Sequence, residues 1–188
     1  MRQSLHKFRQ AGAELERKIS FESKTKAVGV QPAAFLLEAK MHFYYLGCRN
    51  PKAWTKIGNL WQATDDIYVR LRDDKDMRYT WHLLPGFRTD GGSVPLAFRW
   101  FVPSWSDDND IINLAYALHD AAYGSELMHK DVADDMLRGM LRDAGLSRFK
   151  ASTVCWAVNN FAKSHYGLEN DYNDCYLFAN LTVYTERE

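Results

Sequence analysis

The period of the apolar positions changes along the chain, and each change marks an element. From 3 to 19, Leu5, Phe8, Gly12, Leu15 and Ile19 recur every three or four residues with charges between them. That spacing predicts an amphipathic N-terminal helical arm, about two heptads long and too short for a coiled coil alone. Such an arm either docks on its own domain or grips a neighbouring subunit. Residues 20 to 31 (SFESKTKAVGVQ) are polar and read as a linker. Pro32 suits a first helical position, and AAFLLEAKMHFYYL follows, with Gly47 placed as a C-cap. The last part of that run, MHFYYLG, also reads as a strand.

The period then shortens to two. IYVRLRD (67 to 73) and RYTWHLL (78 to 84) are rich in β-branched and aromatic residues and flank a charged DKDM loop, which predicts a hairpin. Pro85-Gly86 ends it, and GFRTDGGSVP (86 to 95) is a loop by composition. Helical spacing returns over 110–123, 130–144 and 147–163, and an apolar stretch late in the acidic, aromatic tail reads as a strand. The fold class expected is α+β, a small hairpin-based sheet packed on a C-terminal three-helix bundle, with an N-terminal helical arm. Residues 1–50 form arm and linker in this reading, and 51–188 the globular domain.

Composition narrows the function classes. The 188 residues carry 24 basic and 24 acidic side chains, a formal net charge of zero. A basic excess is the usual footprint of a nucleic-acid surface, so no nucleic-acid partner is expected. Little net repulsion favours self-association or a permanent protein partner. Cys48, Cys155 and Cys175 form no CxxC and no disulfide framework, which points to a reducing compartment at synthesis. The charged N-terminus lacks an apolar signal core, and no run reaches the roughly 20 apolar residues of a transmembrane helix.

The chemistry concentrates in ALHDAAYG, 117 to 124. On a helical wheel, Ile111, Leu114, Ala115, Leu118, Ala121 and Ala122 make the core face, and His119 falls at its edge. Asp120 points away from the core, and Tyr123 shares a face with His119 at four residues' distance. On the next helix Asp134 borders the apolar face, while Asp135 sits outside it as a solvated neighbour. A carboxylate at the seam of two helices can accept a hydrogen bond from the histidine and fix its tautomer. His119 is then either a satisfied structural histidine or a general base oriented by Asp134. The TDGGS loop offers Asp90 and two glycines either to an ion or to a tight turn with Ser93 as helix cap. Zinc finds no supporting spacing among His82, His119, His129 and His165.

In the order GFRTDGGSVP, ALHDAAYG, ADDML, the chain resembles a phage-associated family of unknown function over about residues 60 to 167. Its members carry a G-F-x-T-D-x-x-S-x-P loop, an H-D-x-x-Y helix and a later A-D-x-x-[FL]. That resemblance implies a tailed-phage or prophage origin, synthesis in the host cytoplasm, and a place among virion neighbours in a tail or baseplate. H-D-x-x-Y followed by an aspartate on the next helix is also similar to phospholipases that cleave the sn-2 ester. Closer in spacing is the phospholipase-like segment of parvovirus capsids.

This second resemblance implies His119 as general base, Asp134 as its orienter, Tyr123 as a hydrogen-bonding support, and Asp120 as a ligand of Ca2+. Asp90 in DGGS would stand in for the glycine-rich calcium loop of those enzymes, whose Y-x-G-x-G is missing here. Two functions are expected: a virion structural or accessory protein with a hydrolase-like His-Asp site, or a calcium-dependent, phospholipase-like ester hydrolase acting on host envelope lipid.

Overall fold

The computed structural model describes residues 41–92, 102–161 and 178–185. The arm at 3–19, the linker and the start of the helix expected after Pro32 lie outside them, as do Ser93, His165 and Cys175. Among the described residues there are seven strands and three helices, an α+β fold with the helices on the C-terminal side. The strands are β1 (Phe43–Arg49), β2 (Trp54–Ile57), β3 (Leu60–Ala63), β4 (Ile67–Asp73), β5 (Met77–Leu83), β6 (Arg88–Thr89) and β7 (Ala179–Thr185). The helices are α1 (Asp110–Ser125), α2 (Lys130–Asp143) and α3 (Arg148–Phe161). No helix among the described residues is long and apolar enough to cross a membrane.

The expected hairpin is β4–β5, at the centre of a four-stranded antiparallel sheet ordered β1-β4-β5-β7. Its strict alternation buries one face: Ile67 pairs with Leu83, Val69 with Trp81 and Leu71 with Tyr79. Each large apolar side chain sealed there contributes about 1.5–3 kcal/mol. Asp73 ends the inward row, and its carboxylate accepts from the Lys75 and Met77 amides and from the Tyr79 hydroxyl at 2.8, 2.9 and 2.9 Å. The charged loop is thereby tied into a defined turn. A second sheet, β2-β3-β6, joins the GFRT segment to a hairpin that carries Trp54 and Trp61.

The helix expected to run through residue 46 is corrected: from Phe43 the chain is strand. Gly47 caps no helix and sits at φ +143° beside a bulge in β1. Tertiary pairing with β4 decides this, because aromatic Phe43, Tyr44 and Tyr45 suit a half-buried strand as well as a helix. The free edge of β1 is closed by α2. Asp135 accepts from the Met41 amide at 2.8 Å, and Asp143 from the Tyr45 amide at 2.6 Å. Unpaired edge amides otherwise invite another strand. Gly139 makes the approach feasible, since a Cβ there would lie 2.4 Å from the Phe43 carbonyl oxygen. Strand β1 pairs with β4, so 43–49, grouped from the sequence with the arm, belong to this sheet.

Candidate functional site

Helix α1 begins where Asn109 caps it, its side-chain oxygen accepting from the Ile111 amide at 3.2 Å. The Asn109 amide group donates to the Ala144 carbonyl at 2.9 Å, which ties the start of α1 to the end of α2. Small residues at 115, 117, 121 and 122 let neighbours close in on all sides. Residues 112–119 and 121–123 are buried, rather than one stripe only. His119 therefore lies deeper than a helix edge implies, at 6% exposure.

The histidine meets its expected partner. His119 Nε2 lies 3.0 Å from Asp134 Oδ1, across the seam of α1 and α2. Tyr123 donates its hydroxyl to the same Oδ1 at 2.6 Å, and its ring rests 4.0 Å from the imidazole, tilted by 38°. Lys130, one turn before Asp134, donates to Oδ2 at 2.7 Å. Burial raises the Asp134 carboxyl, but the bonds from His119, Lys130 and Tyr123 outweigh it and hold the group below its ordinary value. Tyr123 is pushed far up by burial and by the carboxylate it serves, so it stays a donor. A carboxylate can only accept, so Nε2 carries the imidazole proton and Nδ1 is the lone-pair nitrogen of the neutral ring. The arrangement is a base whose tautomer is fixed from behind.

Strand β6 meets the other side of α1. Thr89 of β6 donates its hydroxyl to Asp120 Oδ2 at 2.5 Å and accepts from the Gly91 amide at 3.0 Å. Burial and the nearby charge of Asp90 raise Asp120 well above the usual carboxylate range, against the Thr89 bond. Asp120 is thus half-buried against β6 and is not turned away into solvent, as the wheel alone suggests. Gly92 packs under Tyr116, where a Cβ would lie 2.5 Å from the ring. The charge of Asp90 is felt at Asp120. Among the described residues no group of three His, Cys, Asp or Glu is placed to hold a metal ion.

Asp135 is a correction: it is buried and paired with Arg138 as well as with the Met41 amide. His82 is stacked on Tyr68 at 4.1 Å and bonded to Asp66 at 2.6 Å, so it shares no cluster with His119. Cys155 on α3 reaches the Asp134 carbonyl oxygen at 3.6 Å. Burial pushes its thiol up to about 11, which leaves it a poor nucleophile. Sequence reasoning missed Lys130 and Thr89. The i, i+4 spacing of Lys130 and Asp134 was a usable signal; nothing local marks Thr89.

No curated protein and no solved structure matches the chain. The loop, the His119 helix and the Asp134 helix all fall within residues 61–158, which match the model of a family described as "Protein of unknown function (DUF1353)". This stretch is more than half of the chain, and the chain belongs to that family.

Proposed function

We propose that the chain is a phage-derived accessory protein whose His119 site hydrolyses an ester. The observation that carries the reading is the carboxylate of Asp134, which accepts from His119, Tyr123 and Lys130 at once. His119 Nδ1 takes a proton from water, and the hydroxide formed attacks the ester carbonyl. The proton then passes from Nδ1 to the departing alkoxide as the tetrahedral intermediate collapses. Asp134 holds the ring and offsets the positive charge that develops on it. Tyr123 and Lys130 are positioning residues that keep Asp134 ionised. The phage association rests on the order of the three sequence motifs, and lipid ester as substrate rests on the similarity of H-D-x-x-Y to sn-2-cleaving phospholipases.

Asp120 and Asp90 are the residues that would hold a calcium ion, which supplies an electrophile for the oxyanion when bound. Their mutual repulsion fits a cation between them. Two carboxylates fall short of the roughly six to eight oxygens calcium takes, so backbone or substrate oxygens must complete the set.

A structural reading is favoured by one observation, the 6% exposure of His119. In that reading the network only pins α1 to α2. Hydrolysis of phospholipid vesicles and of a soluble butyrate ester, with and without calcium, separates the two. The hydrolase reading expects His119→Ala to lose about a hundredfold or more in rate while keeping the far-UV spectrum of the wild type. An inactive wild-type protein, or a His119→Ala protein that cannot fold, favours the structural role.

A further inference from the structure

Zero net charge conceals an uneven surface. The outward face of the four-stranded sheet forms three rows across the strands. Tyr44, Arg72, Arg78 and Tyr184 make one row. Gly47, Arg70, Thr80 and Thr182 make the next, and Arg49, Tyr68, His82 and Asn180 the third. None of these residues is buried, whereas the inward positions of β4 and β5 are sealed. The sheet therefore turns an open basic and aromatic face away from the helices.

Two of the acids beside it are already paired. Asp76 pairs with Arg72 at 3.1 Å, and Asp66 bonds His82. Among the described residues no carboxylate pairs with Arg49 or Arg70. Arg72 and Arg78 stand directly opposite each other, and like charges so placed destabilise a sheet. The guanidinium of Arg72 lies 5.4 Å over the Tyr44 ring, and that of Arg49 lies 5.9 Å over Tyr68. Arginine presents a planar fork that suits phosphate oxygens and stacks on base planes.

We propose that the outward face of this sheet binds single-stranded nucleic acid. Arg49, Arg70 and Arg72 meet phosphates, and the exposed rings of Tyr44 and Tyr184 lie beneath bases. Two properties favour this partner over an anionic membrane or an acidic protein segment. Along β4, β5 and β7 the rows repeat about every 6.8 Å, and the large exposed side chains of the face are arginines and tyrosines, with Leu46 the exposed aliphatic one on β1. Base stacking on aromatics of an antiparallel sheet tolerates any sequence, because every base has a π-face.

The test is fluorescence anisotropy of the full chain with labelled oligothymidylate and oligouridylate of about 20 nucleotides. With three phosphates engaged, affinity falls about tenfold or more between about 50 and 200 mM salt. The double variant Arg49→Gln, Arg70→Gln keeps side-chain length and the wild-type melting temperature, and binds about tenfold or more weakly. Tyr184→Ala weakens binding about fivefold or more without changing the salt slope. The proposal is overturned by no binding at the lower salt, or by affinities that the variants leave unchanged. Tighter binding of a duplex, of polyglutamate or of phosphatidylserine vesicles than of oligothymidylate overturns it as well.

Discussion

Helix α1 has a carboxylate at each of two seams, and the two behave in opposite ways. At the α1–α2 seam, Asp134 is buried yet held ionised, because three donors converge on it. At the α1–β6 seam, burial and then the charge of Asp90 outweigh the bond from Thr89, so Asp120 retains its proton to higher pH. Burial raises both carboxylates, and they differ in whether the bonds they accept outweigh it. The first seam is complete as it stands.

The largest effect is expected from Asp134→Ala, which takes away the acceptor shared by His119, Tyr123 and the half-buried Lys130. Urea unfolding at pH 7 should show a loss of about 3–5 kcal/mol. A loss below about 1 kcal/mol would mean that the three donors find other partners. Next comes calcium itself. If Asp120 and Asp90 bind it, free calcium at 100 times its Kd stabilises the wild type by about 2.7 kcal/mol, read as a rise in melting temperature. The Asp120→Asn protein should show none of that rise; an equal rise in both would place the ion elsewhere.

Tyr123→Phe keeps the ring against His119 and removes one bond to an ionised acceptor, for a loss of about 1.5–3 kcal/mol. An unchanged denaturation midpoint would show the hydroxyl bond to be dispensable.

The smallest effects are in pH dependence. Asp134 is lowered in the native state, so its stabilisation is present above the unfolded value of about 3.9 and is lost as pH falls through the native value. Asp120 is raised, so the native state keeps a proton that the unfolded chain has released. Its contribution is therefore most favourable at low pH and declines as pH rises from about 4 through the native value. Asp120→Asn should thus gain stability relative to wild type as pH rises from about 4 to 7, measured by urea midpoints. A gap that narrows over that range would contradict the assigned direction.

Much of the fold was readable before the coordinates. The β4–β5 hairpin alternates strictly and α2 keeps one apolar stripe, so local pattern and tertiary role agree there, whereas α1 is buried on nearly every side. The His119–Asp134 pair was readable for the same reason, because helical spacing places each side chain on a known face. Asp120 and Asp135 were misplaced because the wheel assumes one wet side. Here β6 covers the side facing Asp120, and the β1 edge covers Asp135.

Sequence alone determined what depends on neighbours along the chain: strand alternation, helix faces, and the residues able to act as base and orienter. Tertiary structure decided whatever depends on approach between distant segments. It turned 43–49 into a strand by offering β4 as a partner, and it brought Thr89 to Asp120 across 31 positions. It also set the protonation of each carboxylate, since that reflects the few charges and donors within hydrogen-bond reach, which no local pattern encodes.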